Sequence, residues 1–200
     1  MGGSIRRMAS RTSKPIIFGF DSFEGLPEAW ERPDAWMGKW DVGSFDLGGR
    51  MPKVPSNVTL IKGWYEDTVP AFSDKIRKEG LNISLLHIDS DIYSSCSHIL
   101  NGLVKSLGAG TIVVFDELVG YENFEKHEWR AWWEFVEKYD ISFEWIGGNR
   151  SRVTDPLPPV KGVRFDSDRV GADAEAVSPS WENVAVRITD NPYFDPRADN

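Results

Sequence analysis

Acidic residues close three short apolar runs in this 200-residue chain. Asp21 follows residues 16–20, Asp89-Ser90-Asp91 follows 83–88, and Asp116-Glu117 follows 111–115. In an open parallel sheet, ligands bind beyond the carboxyl ends of the strands, and neighbouring strands lie about 4.8 Å apart. If the second and third runs are adjacent strands, Asp89 and Asp116 emerge side by side. Asp89, Asp91, Asp116 and Glu117 then repel one another unless a cation joins them. Hard oxygen ligands select Mg²⁺, Ca²⁺ or Mn²⁺ over zinc. Acids at strand ends also cap helices or sit in solvated loops, so each one alone decides little; two clusters closing consecutive buried strands say more.

The elements that must position these acids alternate. Residues 16–20 read as a buried strand, 22–57 as a long Gly-, Pro- and Trp-rich loop, and 58–61 as a second strand. Glu66-Asp67-Thr68 is a candidate N-cap for a helix through about Lys78. A strand over 83–88 precedes a helix over 94–107 with Ile99, Leu100, Leu103, Val104 and Leu107 on one face, stopped by Gly108 and Gly110. A strand at 111–115 and an aromatic-rich helix at 125–139 follow. Strands at 142–146 and 184–188, with no helix predicted between them, are expected to pair antiparallel, and the polar stretch at about 149–180 reads as an insertion. This alternation predicts a single α/β domain over residues 1–200 with a mostly parallel sheet.

Composition narrows the function classes. Nine Trp, eleven Phe and five Tyr with 40% hydrophobic residues supply a core, and the net charge of −8 argues against a nucleic-acid-coating protein. A single cysteine, Cys96, excludes a disulfide framework and a Cys-based zinc site, and suits a reducing, cytoplasmic compartment. No apolar run approaches the roughly 20 residues that span a bilayer. The aromatics Trp30, Trp36 and Trp40, with Met37 among them in the 28–53 stretch, suit stacking on an acceptor or a subunit interface, so a homo-oligomer is one expectation. His127-Glu128 has no second histidine at helical spacing; it reads as a surface helix with an aromatic inner face, or as a group near an acceptor pocket.

Four stretches occur in order: Phe20-Asp21-Ser22-Phe23-Glu24-Gly25-Leu26-Pro27-Glu28, Lys62-Gly63-Trp64-Tyr65-Glu66-Asp67-Thr68-Val69-Pro70, Leu86-His87-Ile88-Asp89-Ser90-Asp91-Ile92-Tyr93-Ser94-Ser95 and Val113-Val114-Phe115-Asp116-Glu117. Together they resemble the macrocin O-methyltransferase family, over about residues 2–147 plus the last strand. The resemblance implies a class I methyltransferase (Rossmann-like) fold with helices on both sheet faces, S-adenosylmethionine as donor, Mg²⁺ at the active site and a sugar or polyol hydroxyl of a small molecule as acceptor. It makes Asp89, Asp116 and Glu117 the metal ligands, with Glu117 standing where relatives carry an aspartate. It makes Asp91 the general base. Asp21 and Ser22 would meet the cofactor ribose, and Gly63 and Trp64 would border the adenine.

The resemblance also implies a strand and a Glu-x-Gly loop ahead of the first helix. Only the tail of that loop, with Gly3 and Ser4 as cofactor contacts, is expected in a chain that starts Met1-Gly2-Gly3-Ser4. Without that central strand, two strands are expected to keep bare edges. Two rivals remain: a metal-dependent glycosyltransferase using Asp89-x-Asp91, disfavoured by the second acid cluster and Asp21, and a shortened remnant without turnover.

Overall fold

The computed structural model describes residues 2–11, 16–33, 35, 37–148 and 182–196. The expected insertion at about 149–180 and Trp36 lie outside the described residues. In chain order the elements are α1 (Gly3–Ser10), β1 (Ile17–Asp21), β2 (Trp30–Glu31), β3 (Lys39–Trp40), β4 (Val58–Lys62), α2 (Tyr65–Lys78), β5 (Leu85–Ile88), α3 (Tyr93–Leu103), β6 (Ile112–Phe115), α4 (Glu128–Tyr139), β7 (Ser142–Gly148) and β8 (Val184–Asp190). The expected α/β alternation is present, with two local differences.

The first concerns the start of α2. The helix begins at Tyr65 with Trp64 as its N-cap residue, not at Glu66-Asp67-Thr68. Thr68 is already inside the helix, where its hydroxyl donates back to the Trp64 carbonyl at 2.8 Å; such i−4 bonding is what a helical threonine does when it is not capping. The second is a small antiparallel pair, β2–β3, inside the stretch read as loop. Strands of two residues carry no periodicity to read. This pair is held by Trp30 stacked on Trp40 at 4.8 Å between ring centroids, a cross-strand aromatic contact.

Alternation along β1 places helices on both sheet faces. Phe18 and Phe20 meet Phe72 of α2 at 4.7 and 4.9 Å. Gly19, on the opposite face, lies under α1: a Cβ there would sit 2.4 Å from Ile5 Cδ1 and 2.9 Å from Leu60 Cδ2, so the helix rests on a position without a side chain. Asn57 beside the start of β4 donates to the Ala9 carbonyl, so α1 runs back along β1 and its Gly3 end lies toward Asp21.

β1 pairs with β4 in parallel, and β5 with β6 in parallel. β8 then joins β6 antiparallel, and β7 joins β8 antiparallel, giving the order β5-β6-β8-β7 and the antiparallel closing pair that the sequence suggests. Among the described residues β1 and β5 have no strand between them and each keeps one bare edge. α2 bridges this break. Its Phe72 belongs to the same core as Ile88 of β5 while also touching Phe18 and Phe20 of β1.

Trp132 of α4 is fully buried and stands edge-on to Phe115 of β6 at 5.3 Å and Phe143 of β7 at 4.9 Å. Trp132→Ala leaves a cavity where helix meets sheet and costs about 3–5 kcal/mol. Chemical denaturation followed by far-UV circular dichroism measures it; a loss under about 1 kcal/mol would show that the sheet closes over the vacated space.

Candidate active site

β5 and β6 are neighbours in register, with Ile88 opposite Phe115, and the Asp116 amide donates to the Ile88 carbonyl at 2.9 Å. Their terminal acids therefore leave the sheet together. One oxygen from each of Asp89, Asp116 and Glu117 lies within 4.8 Å of the others. Asn183, just before β8, donates to Asp116 Oδ1 at 2.7 Å and so fixes that carboxylate's direction. Glu117 Oε2 is buried with no hydrogen-bond partner among the described residues. Three converging carboxylates, one with free buried lone pairs, are a donor set that fits a hard divalent cation.

The electrostatics report the same crowding. Burial, then Asp89 and Asp116, push the Asp91 carboxyl up to about 7, with Arg32 opposing. Glu117 is raised by burial and then by Asp91 and Asp116. Asp89, on the exposed rim, is raised by partial burial, then by Asp116, with His87 pulling the other way. Asp91 stands in the left-handed region at φ 66°. The Ile92 amide donates to the Ser90 carbonyl at 2.7 Å, closing a three-residue turn around Asp91; turns of that hand are strained.

The other expected contacts gather at the carboxyl end of β1. Asp21 Oδ1 accepts from the Phe23 amide at 2.6 Å. Ser22 is buried, and its hydroxyl accepts from the Glu24 amide at 3.1 Å, so it serves its own loop. Gly63 has φ 145° and donates its amide to the Asp21 carbonyl, which ties the turn after β4 to the end of β1. Trp64, next to it, is half-buried at the head of α2. A Cβ on Gly3 would meet nothing within 4 Å, so the start of α1 is open, with Ser4 behind it. An exposed carboxylate on β1 and open helix-start amides are groups that would take a ribose and a carboxylate.

Several residues here were not singled out from sequence. Tyr65 links the two sides: its phenol is raised by burial and then by Asp21, Asp89 and Asp91. Tyr121 is raised by burial and then by Glu128 and Glu117, and its buried hydroxyl has no partner among the described residues. Arg32 stacks over Tyr121 at 4.7 Å and pairs with Glu182, tying the β2–β3 segment to the lead-in of β8. The surface helix with an aromatic inner face is present, and Glu128 lies on that inner face: it is 0% exposed, and burial pushes it up to about 8 against two bonds from Ser90. Its signal was in the spacing, since 128, 131, 132 and 135 form one buried helical stripe.

A cavity of about 280 Å³ opens beside this centre, lined by Glu28, Glu31, Ile92, Tyr93, His127 and Arg130 among others. His127 Nε2 lies 3.2 Å from the Glu31 carbonyl, and burial lowers its pKa, so the ring joins α4 to the β2–β3 segment as a neutral group. Trp30, expected as an exposed stacking surface, is instead buried with Leu26 and Ile92.

Residues 50–143 match the family described as macrocin-O-methyltransferase (TylF). No curated protein matches the sequence. Among solved structures, the O-methyltransferase NovP is similar at 19% identity and a TM-score of 0.51, over 92% of this chain and 64% of that one. The calicheamicin methyltransferase CalS11 is similar at 21% identity and 0.45, over 86% of this chain and 59% of that one. An apo structure of CalS11, described as a TDP-rhamnose 3'-O-methyltransferase of calicheamicin biosynthesis, gives 18% and 0.42, over 86% and 58%. The chain thus spans less than two thirds of the length of each. Likeness at this identity speaks for the fold alone, the α/β fold shared with NovP. Three of the four motifs lie within residues 50–143, the stretch that matches the macrocin-O-methyltransferase (TylF) family.

Proposed function

We propose that this chain carries the active site of a Mg²⁺- and S-adenosylmethionine-dependent O-methyltransferase acting on a hydroxyl of a small molecule, a sugar or polyol. The observation that carries the reading is the convergence of Asp89, Asp116 and Glu117 within 4.8 Å, next to a carboxyl at Asp91 that burial raises to about 7. The family match supports the reaction class, and the resemblance carried by the four motifs supports a sugar or polyol hydroxyl as acceptor.

Bound donor and cation would supply an already activated methyl and a lowered acceptor pKa; the remaining work belongs to the protein. Asp89, Asp116 and Glu117 hold the cation, and Asn183 keeps Asp116 turned toward it. Asp91, as general base, takes the acceptor's hydroxyl proton on a carboxylate oxygen. Asp21 and the open start of α1, with Gly3 and Ser4, grip the two polar ends of the donor, and Gly63 and Trp64 border its base. Ser22 shapes the loop that presents Asp21. The cavity beside Ile92 receives the acceptor, with Tyr93 and His127 on its wall. Alignment of oxygen, methyl and sulfur supplies much of the acceleration in such a transfer. Among the described residues no helix is long and apolar enough to cross a membrane; the buried Cys96 suits a cytoplasmic setting.

Incubation with methyl-labelled S-adenosylmethionine, Mg²⁺ and a panel of nucleotide sugars tests this, and label should appear in an acceptor. Label moving only from a sugar nucleotide would favour the glycosyltransferase alternative. Donor binding without transfer to any acceptor would favour a non-catalytic protein.

A further inference from the structure

Among the described residues Glu128 is the only carboxylate that is fully buried. Its Oε1 accepts two hydrogen bonds from one residue, the Ser90 amide at 3.1 Å and the Ser90 hydroxyl at 2.9 Å. Ser90 is itself buried and immediately precedes Asp91. On the other side of Asp91, Ile92 is 1% exposed and packs with Leu26 and Trp30. Between these anchors Asp91 holds φ 66° inside a turn closed from Ile92 to Ser90. A non-glycine residue held there costs about 1–3 kcal/mol and persists only when its surroundings over-determine it. Burying a carboxylate is also costly, yet α4 places Glu128 on its inner stripe with Ala131, Trp132 and Phe135.

We propose that Glu128 is a positioning residue: through one oxygen it clamps Ser90 and so holds the left-handed turn that presents Asp91 to the acceptor. The part concerning turnover rests on Asp91 acting as base; the clamp does not. Because both bonds fall on Oε1, the carbonyl oxygen of a glutamine can take over both, whereas leucine fills the space and accepts nothing.

Two readouts separate the clamp from the proposed activity. Amide hydrogen exchange reads it without turnover. The Ser90 amide should stay protected in the parent and in Glu128→Gln, and exchange on the order of tenfold faster or more in Glu128→Leu, while β5 and β6 amides are unchanged. In steady-state kinetics, Glu128→Leu should lower kcat on the order of 100-fold, with the donor KM unchanged. Glu128→Gln should restore most of that loss. Ser90→Ala, which removes only the hydroxyl bond, should fall between the two, and it decides the matter if the leucine variant does not fold. A Ser90 amide that exchanges in Glu128→Leu as in the parent overturns the clamp, as does a glutamine variant as impaired as the leucine one. A parent that protects Ser90 but transfers no methyl group overturns the activity reading and leaves the clamp standing.

Discussion

Asp91→Asn should lower methyl transfer by about 10²–10⁴-fold, the range that a positioned acid–base group contributes, with donor affinity retained. The substitution is nearly isosteric, and the turn around Asp91 is held by backbone bonds and by Ser90, so the acceptor cavity and the cation ligands keep their places. What disappears is the proton acceptor. Parent activity should also rise with pH, with a midpoint below about 7, because burial raises the Asp91 carboxyl while a bound cation offsets the push of Asp89 and Asp116. The asparagine variant should lose that dependence. Calorimetry for donor binding and initial rates across pH 5–9 measure both, and an asparagine variant that turns over like the parent removes Asp91 as base.

Mg²⁺ should raise the melting temperature strongly at pH 8 and little at pH 5. Without an ion, Asp91 titrates at about 7 and Glu128 at about 8 in the folded protein, both above the ordinary carboxylate range, and Glu117 is raised as well. The folded state therefore holds more protons than the unfolded one across the window from about pH 4 to about pH 8. Stability is fully present below that window and falls as pH rises through it. A divalent cation replaces those protons and cancels the repulsion. Asp116→Asn removes one ligand and one repelling charge at once. The ion-free variant should therefore melt higher than the parent at pH 8, yet gain nothing from Mg²⁺ and transfer no methyl group. Thermal melts with and without Mg²⁺ at both pH values check this. A Mg²⁺ effect of equal size at pH 5 and pH 8 would mean that the ion binds away from these acids.

Much of the arrangement was legible in the chain because short-range patterns carry it. Continuous apolar runs ending in acids located β1, β5 and β6 within a residue or two, since a buried parallel strand needs such a run and its carboxyl end is where polar chemistry begins. Adjacency of β5 and β6, conditional in the sequence, is what a right-handed crossover between successive parallel strands favours, and the two strands do pair. Other features had no such signature. The β2–β3 pair depends on Trp30 meeting Trp40 across ten residues of irregular chain, and Asn183 reaches Asp116 from 67 residues further along. Ser22, which the resemblance places beside the cofactor ribose, also stitches its own loop by accepting from the Glu24 amide, a local bond that no sequence pattern announces.

By itself, the sequence determined which acids the strands deliver, on which edge of the sheet, and hence the hard-cation chemistry open to them; these follow from residue order, strand period and handedness. Only the tertiary structure decided that Glu128 turns inward to hold Ser90, that α2 spans the break between β1 and β5, and that the cavity opens beside Ile92. Each of those depends on side chains from distant segments competing for one buried volume. Local patterning ranks candidates for such a space, and only packing selects its occupant.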